Sequence, residues 1–208
     1  GLRNTIDLRG RAGMAHGRLH WSANFDEVQD FEGQIRDLSS GQGLMDDADF
    51  HAGTRSQPLG DAKAGISADL DALAAYVASL ASFPQSPYRS NTNGGLTSAG
   101  AAGRTIFANA GCDNCHGGDA FSDSSQDKLH DIGTIKASSG QRLSGPLPGI
   151  DTPTLRDVWA TDPYLHDGSA ATLAEAVNAH NGVSLSNSEL TQLVEYLKQI
   201  GADETPPS

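Results

Sequence analysis

Apolar residues recur every three or four positions in two stretches of the first half of the chain. This spacing places them on one face and predicts amphipathic helices over residues 26–38 and 68–80. The apolar positions are Val28, Phe31, Ile35 and Leu38 in the first stretch and Leu70, Leu73, Val77 and Leu80 in the second. A shorter helical stretch is predicted over residues 101–110.

Two capping boxes mark helix starts in the last quarter of the chain. Thr172 and Glu175 begin a helix that is predicted to run to about His180, and Ser186 and Glu189 begin the final helix. The final helix is expected to stop at a glycine, residue 201. Since no segment shows the alternating pattern of a strand, we expect a mainly α fold with long loops.

Composition between the helices indicates the domain organisation. Pro, Ser, Asn and Gly concentrate after Phe83, which predicts a linker over 84–96 between a first unit, 1–83, and a second unit, 97–202. Residues 203–208, with two prolines, are expected to form a disordered tail. Long loops are predicted over 39–67 and 117–150, and loops of such length usually serve a function.

The two sides of the linker resemble one another. Leu70, Leu73, Tyr76, Val77 and Leu80 align without a gap with Leu190, Leu193, Tyr196, Leu197 and Ile200. Upstream, Thr5-x-x-Leu8-Arg9 and Leu19-His20 parallel Thr152-x-x-Leu155-Arg156 and Leu165-His166. Any two amphipathic helices share such spacing, so coincidence is an alternative. If the match is a duplication, residues 1–83 are the second half of a domain whose first half is not in this chain.

Composition and charge exclude some classes of function. The chain has 208 residues with 14 Lys and Arg against 26 Asp and Glu, a formal net charge of -12, which disfavours a nucleic-acid partner and favours basic proteins as partners. No apolar run approaches the roughly 18 residues of a membrane span. The first residues have neither the basic head nor the apolar body of a signal peptide, so we expect a mature or trimmed sequence.

The only two cysteines lie in one pentapeptide, Cys112-Asp113-Asn114-Cys115-His116. In a C-x-x-C-H motif the two thiols can add to the vinyl groups of haem while the adjacent histidine ligates the iron. A thioredoxin-like redox pair and half of a zinc site are the alternatives. A helical stretch rather than a buried strand precedes the motif, and no further cysteine exists for zinc, so haem attachment is the favoured interpretation.

Covalent haem has consequences for the location and the core of the protein. Attachment needs reduced thiols and export machinery, so we expect an extracytoplasmic protein, periplasmic or secreted from a bacterium. The macrocycle also supplies apolar surface around which short helices pack, which suits a chain with only 6% aromatic residues.

The second half resembles a known family along residues 96–200. The motifs that carry the resemblance are Leu96-Thr97, Phe121-Ser122-Asp123, His130-Asp131-Ile132-Gly133, Asp151-Thr152-Pro153-Thr154-Leu155-Arg156, Pro163-Tyr164-Leu165-His166-Asp167-Gly168 and Thr172-Leu173. They resemble the C-terminal haem domain of the di-haem bacterial cytochrome c peroxidases, a superfamily that includes the enzyme maturing the tryptophan cofactor of methylamine dehydrogenase. The resemblance implies a class I cytochrome c-like haem domain, preceded here by a partial cytochrome c-like helical domain.

The resemblance also implies the ligands of the iron. In that family the C-terminal haem is the electron-entry site, held by the motif histidine, here His116, and by a Met whose position here is occupied by His180. The methionines of this chain, Met14 and Met45, both precede the motif. We therefore expect bis-His ligation by His116 and His180, without the Met that raises the potential in cytochromes c.

Other residues compete with or support these ligands. His130, His166, His20, His16 and His51 are the alternative distal ligands, and an open iron is a further one. His166 is interpreted as a neighbour of the haem edge that hydrogen bonds to a propionate or to backbone. Arg156 and Arg142 are candidate partners of the propionates, since a guanidinium grips a carboxylate with two hydrogen bonds; the alternative is exposed surface charge.

The resemblance further allows a calcium ion near the carbonyls of Thr161 and Pro163. Because the asparagine that completes that site in the family would lie upstream of this chain, calcium is not expected here.

Three hypotheses for function follow. The favoured one is electron transfer by a single haem c to a redox partner protein or a second haem domain. The second is an enzyme, the C-terminal part of a di-haem peroxidase-like oxidoreductase whose catalytic haem lies upstream. In the third, the first half is a haem-free docking module within a larger extracellular redox protein. Whether the chain acts as an enzyme is left open.

Overall fold

The computed structural model describes residues 1, 3–10, 16–37 and 41–207. Within these residues the helices are α1 (Phe31–Asp37), α2 (Asp47–Phe50), α3 (Ala68–Ser79), α4 (Ser98–Asn109), α5 (Leu173–Asn178) and α6 (Asn187–Leu197). Two antiparallel ribbons pair β1 (Leu129–His130) with β4 (Ile150–Asp151) and β2 (Gln141–Arg142) with β3 (Gly145–Pro146). The mainly α prediction is confirmed, and the strands were not predicted because two residues carry no alternating pattern.

The helices of the first half differ from prediction in detail. The segment predicted as one helix over 26–38 is a 3-10 turn, Val28–Asp30, followed by α1; Leu38 lies outside the described residues. The helix predicted over 68–80 is α3, capped by the Ser67 side chain, which accepts from the Leu70 amide. The predicted loop over 39–67 contains the short helix α2, which its four residues were too few to indicate.

The helices of the second half follow their capping signals. α4 begins three residues before the predicted stretch because the Thr97 hydroxyl caps it, accepting from the Gly100 amide at 3.0 Å. α5 and α6 begin with the predicted capping boxes at Thr172 and Ser186. The α-helical part of α6 ends at Leu197, before the predicted stop.

The core of the second half is the crossing of α4 and α6. A Cβ on Gly103 would lie 2.0 Å from the Gln192 carbonyl oxygen and 2.8 Å from Tyr196 Cβ, so the two helices touch at this glycine. Phe107 packs on Tyr196 with ring centroids 5.5 Å apart. Buried apolar side chains continue this cluster on both sides of the crossing: Phe121, Val158, Leu173, Leu193, Leu197 and Ile200.

The first half has its own apolar clusters. One contains Leu19, Phe25, Val28 and Val77, and the other contains Met45, Phe50 and Leu70. Around them, buried charges fasten the loops: Lys63 pairs with Asp30 at 2.5 Å, and the Glu32 carboxylate accepts from the Leu44 and Met45 amides. A buried charge needs such partners because its desolvation is otherwise costly.

The two halves share backbone features in the same order. The Gly10 amide donates to the Leu80 carbonyl at 2.8 Å and the Asp157 amide to the Ile200 carbonyl at 3.0 Å, in both cases at the end of a long helix. Isolated bridges join Leu19 to Phe25 and Tyr164 to Ala170.

Each of these bridges encloses one turn, and the turns set the register between the halves. The residue after the first bridging position has φ 69° at His20 and φ 70° at Leu165. The turns therefore match Leu19 with Tyr164 and Trp21 with His166. This alignment is shifted by one residue from the sequence alignment, which pairs Leu19 with Leu165.

The linker and the tail are packed against the second half. Ser86 Oγ donates to the Lys198 carbonyl at 2.5 Å, and Glu204, which is buried, accepts from Arg89, Arg104 and the Tyr196 hydroxyl. In the segment that composition predicts to be a disordered tail, Glu204 thus has three side-chain partners, and Arg104 also donates to the Thr205 and Pro206 carbonyls. Local composition does not encode such long-range pairs.

Candidate haem-binding site

A cavity of about 420 Å³ lies beside the pentapeptide. Cys112, Cys115, His116 and His180 all line it. Apolar side chains form most of its wall: Phe107 of α4, Leu173 and Val177 of α5, Leu193 and Leu197 of α6, and Leu155 and Tyr164 from the intervening loop. Its size lies in the usual range for cofactor pockets, and its apolar lining with few polar groups suits a macrocycle.

His116 is held by the loop that follows the motif. A turn carries it, since its amide donates to the Cys112 carbonyl at 2.9 Å. Its Nδ1 lies 3.2 Å from the Phe121 carbonyl oxygen. A carbonyl can only accept, so Nδ1 carries the proton and the Nε2 lone pair is left for a metal. The imidazole lies deep among protein atoms, and this burial, together with the neighbouring His180, lowers the pKa of His116 to about 4.

His180 has a similar arrangement. It lies two residues after the end of α5, and its Nδ1 lies 2.8 Å from the Ala176 carbonyl oxygen one turn earlier. By the same reasoning its Nε2 is free. Both histidines line the same cavity.

The two cysteines lie in different surroundings. Cys112 packs against the apolar cluster of the second half, and burial raises its pKa to about 11. Cys115 also has a raised pKa through burial and the Asp123 charge, but its Sγ lies 3.8 Å from His130 Nδ1. The residues that line the cavity fit a covalently held haem: two thiols, two imidazoles with free Nε2 atoms and an apolar wall.

The other histidines are engaged elsewhere. His130 lines the cavity, but its two ring nitrogens face Cys115 Sγ and Asp123 Oδ2. His20 contacts Asn24, and His16 contacts Ser124. His51 lies exposed at the end of α2. Met45 is buried in a cluster of the first half, and Met14 lies outside the described residues.

The two arginines assigned to the propionates have backbone partners instead. Arg156 borders the cavity, but its guanidinium donates to the carbonyls of Asp119, Gly201 and Glu204 at 2.7, 2.5 and 3.2 Å. Arg142 is absent from the described cavity lining, and it donates to the Ser22 and Ala23 carbonyls at 2.7 and 3.0 Å. Both guanidiniums thus fasten loops, and this geometry does not favour the predicted propionate contacts.

His166 lies on the cavity wall and is buried. Its Nε2 lies 2.8 Å from Ser139 Oγ, and its carbonyl accepts from the Asn4 amide at 2.7 Å. Its described side-chain partner is therefore a hydroxyl rather than backbone. Asn4 Nδ2 also donates to the Pro163 carbonyl, one of the two carbonyls considered for calcium.

Two parts of the site were missed at the sequence level. The first half supplies cavity wall through residues 4–7 and Trp21, whose Nε1 donates to the Asn4 carbonyl at 3.0 Å. The second part is the contact between Cys115, His130 and Asp123. Both His130 and Asp123 lie within motifs that carried the resemblance, so a signal was present, but sequence spacing could not show that they meet at a thiol.

Comparisons with known proteins agree with this geometry. The family described as RoxA-like, cytochrome c-like matches residues 149–184. The chain is 35% identical to hydrazine synthase subunit gamma of Kuenenia stuttgartiensis over 176 residues, covering 63% of this chain and 48% of that protein. It is 30% identical to cytochrome c551 peroxidase of Nitrosomonas europaea over 113 residues, covering 49% of this chain and 34% of that protein. Over part of its length, the chain is thus similar in sequence to a cytochrome c peroxidase.

Two solved structures are also similar to this chain. Hydrazine synthase of Kuenenia stuttgartiensis matches with 33% identity and a TM-score of 0.50, over 62% of this chain and 54% of that chain. A MauG-like protein associated with microbial copper homeostasis matches with a TM-score of 0.62 over 98% of this chain and 74% of that chain, and at 18% identity it shows the fold alone.

These relatives establish the cofactor class. The chain has a cytochrome c-like domain, its cofactor is covalently bound haem c, and its function is haem-based redox chemistry. It spans about half or less of the length of the curated relatives that it matches. Among the described residues, no helix combines the length and the apolar character needed to cross a lipid bilayer.

Proposed function

We propose that this chain is an electron-transfer protein in which Cys112 and Cys115 hold one haem c and in which His116 and His180 ligate its iron. The observation that carries the proposal is that the two imidazoles have the same hydrogen-bonding pattern. Each lines the same cavity, and each has its Nδ1 on a backbone carbonyl, which leaves both Nε2 atoms for the metal.

Haem iron, when bound, alternates between the ferric and ferrous states and so carries one electron. The residues of the chain do the rest. His116 and His180, oriented by the Phe121 and Ala176 carbonyls, would hold the iron through their Nε2 atoms and would leave no iron site open to peroxide. The apolar wall of the cavity would limit the access of water to the cofactor. Two neutral imidazoles, without the Met that raises the potential of cytochromes c, favour a low potential.

A change of His180 to Met tests the ligation. The His180→Met chain should keep its haem, because both thioethers and His116 remain, and its reduction potential should rise, because a thioether ligand favours ferrous iron. Potentiometric titration of both chains measures the shift. The matched control is His51→Met at an exposed site, which should leave the potential unchanged. An unchanged potential and visible spectrum in His180→Met would mean that His180 is not a ligand.

The domain organisation is part of the proposal. Residues 1–83 form a partial cytochrome c-like repeat without an attachment motif, 84–96 form the connection, and 97–202 form the haem domain. The matched turns and matched helix-end hydrogen bonds of the two halves support this division. Covalent haem and the peroxidase relatives support an extracytoplasmic location, periplasmic or secreted, and a redox protein or second haem domain as partner.

A second candidate function is the C-terminal part of a di-haem peroxidase-like oxidoreductase. It is favoured by the curated relatives, one named a peroxidase and the other a subunit of an enzyme, of which this chain spans only 34% and 48%. On this account the peroxide-reactive haem lies in another segment or subunit.

Peroxide turnover separates the two candidates. This chain alone, loaded with haem, should reduce hydrogen peroxide negligibly with a reduced electron donor, because ligation by both His116 and His180 would leave no iron site open to peroxide. The mass and haem content of the native polypeptide should be determined in parallel. A second haem there would favour the enzyme, whereas rapid turnover by this chain alone would contradict bis-His ligation.

A further inference from the structure

One short segment of the 117–150 loop reaches the His180 side of the cavity. We name residues 129–134 the distal strap; they begin with β1 and contribute three residues to the cavity wall, His130, Ile132 and Thr134. The Ile132 carbonyl accepts from the Asn181 amide at 2.9 Å. The distal strap therefore contacts the residue that directly follows His180.

The other end of the distal strap is fixed to the body of the protein. β1 pairs with β4, and the Asp151 amide of β4 donates to the Trp21 carbonyl at 2.8 Å. The packing beside β1 is tight, because a Cβ on Gly149 would lie 2.6 Å from the His130 amide nitrogen and 2.7 Å from the Leu129 carbonyl carbon. Backbone contact at this glycine thus sets the position of the distal strap.

The two proposed ligands differ in how their backbone is held. His116 lies within the attachment motif and deep among protein atoms, whereas His180 is half-buried and lies two residues beyond α5, a helix of only six residues. The last residues of a helix fray, because their backbone groups lack a full set of intrahelical partners. The hydrogen bond of Asn181 joins this helix end to a distant part of the chain, so it restrains the backbone at His180.

We propose that the distal strap is a positioning element that holds His180 at the iron and so keeps the haem closed to small ligands. The proposal rests on the bis-His ligation proposed above. The Ala176 carbonyl orients the imidazole of His180, and the distal strap fixes the backbone that carries it. When the distal strap moves away from Asn181, the end of α5 loses this restraint, and His180 leaves the iron for a larger fraction of the time.

A role in packing alone is the alternative, since three residues of the distal strap line the cavity. The two roles differ in a measurable way. A disturbed cavity wall lowers the stability of the whole domain, whereas a displaced positioning element selectively releases His180.

The experiment measures carbon monoxide binding to the ferrous, haem-loaded chain by stopped-flow absorbance. Carbon monoxide needs a vacant axial site, so its binding rate reports the departure of His180. Gly149→Ala places a methyl group against the backbone of β1 and pushes the distal strap away. Gly145→Ala is the matched control in the neighbouring ribbon: neither glycine has a left-handed φ, and its Cβ would approach only the Arg142 carbonyl oxygen, at 3.5 Å. His180→Ala is the reference for an open site.

We expect the wild type and Gly145→Ala to bind carbon monoxide slowly and His180→Ala to bind it fast. Gly149→Ala should bind it about tenfold faster than the wild type, which corresponds to about 1.4 kcal/mol in the equilibrium that releases His180. Thermal unfolding and the pyridine haemochrome spectrum of each variant show whether the fold and both thioethers are retained.

A second variant tests the distal strap where Gly149→Ala does not fold. Gly133 lies in the distal strap with φ 86°, so an alanine there is strained, and its Cβ would also overlap the Asn181 side chain. Gly65→Ala is its control, because it has φ 81° and no described atom lies within 4 Å of its Cβ. Gly133→Ala should bind carbon monoxide faster than Gly65→Ala, by a smaller factor than Gly149→Ala because the exposed Asn181 side chain can turn aside.

Two outcomes would overturn the proposal. One is a wild-type rate of carbon monoxide binding in a folded Gly149→Ala chain, or in Gly133→Ala where the first variant does not fold. The other is equal acceleration by Gly149→Ala and Gly145→Ala, which would indicate a general loosening of the loop. A wild-type chain that binds carbon monoxide as fast as His180→Ala is a different result, because it would contradict the proposed function itself.

Discussion

The two halves of the molecule contain matching helices, α3 and α6, in opposite surroundings. Tyr76 of α3 and Tyr196 of α6 occupy matching positions, yet Tyr76 is 63% exposed and Tyr196 is 0% exposed. In the second half, α4 lies across α6 and covers Tyr196 with Phe107. In the described part of the chain, the matching face of α3, with Ala72, Tyr76 and Ser79, is open to solvent.

The comparison shows what the covering segment contributes. α4 leads directly into the C-x-x-C-H turn, so the helix that buries Tyr196 also places Cys112, Cys115 and His116 at the cavity. In the first half the matching turn carries Trp21 where the second half has His166, and Trp21 contributes to the wall of the haem cavity. One half therefore builds the cavity and the other half helps to close it.

The largest effect should come from truncating the two tyrosines. Tyr196→Ala removes a ring from a packed core and should lower the free energy of unfolding by about 3–5 kcal/mol. Tyr76→Ala should change it by less than about 0.5 kcal/mol, because an exposed ring loses little packing. Urea unfolding of the haem-loaded chains, followed by circular dichroism, measures both. Equal losses would contradict the assignment of Tyr76 as exposed.

A smaller effect, with opposite signs in the two halves, is expected from adding one methyl group. Gly103→Ala places a Cβ against Gln192 and Tyr196, and the forced separation of α4 and α6 should cost about 1–3 kcal/mol. Gly33→Ala in α1 meets no atom within 4 Å and should stabilise the chain by up to about 1 kcal/mol through helix propensity. Thermal melts of both variants test this. A stable Gly103→Ala chain would show that the helices do not touch there.

Local signals in the sequence were sufficient for much of the fold. The capping boxes at Thr172 and Ser186 are formed as predicted, since a cap depends on residues three positions apart. The position of α3 followed from its apolar spacing. The tail was not predictable, because Glu204 is held by Arg89 and Arg104, which lie about 100 residues earlier.

The candidate site also has a part that the sequence predicts and a part that it does not. Cys112, Cys115, His116 and His180 could be selected from motif and resemblance, and the structure brings these four residues to one cavity. The hydrogen-bond partners of Arg156 and Arg142 could not be predicted from the sequence. A guanidinium binds loop carbonyls as readily as a propionate, and only the three-dimensional path of the chain decides between these partners. The contact of Cys115 with His130 likewise depends on how the 117–150 loop folds back.

The electron paramagnetic resonance spectrum of the ferric, haem-loaded chain tests bis-His ligation most directly. The wild type should show only a low-spin signal of the bis-imidazole type, and His180→Ala, which removes one ring, should convert it to a high-spin signal. His51→Ala should leave the spectrum as in the wild type. A high-spin wild-type chain, or a His180→Ala chain with the wild-type low-spin spectrum, would contradict ligation by His116 and His180.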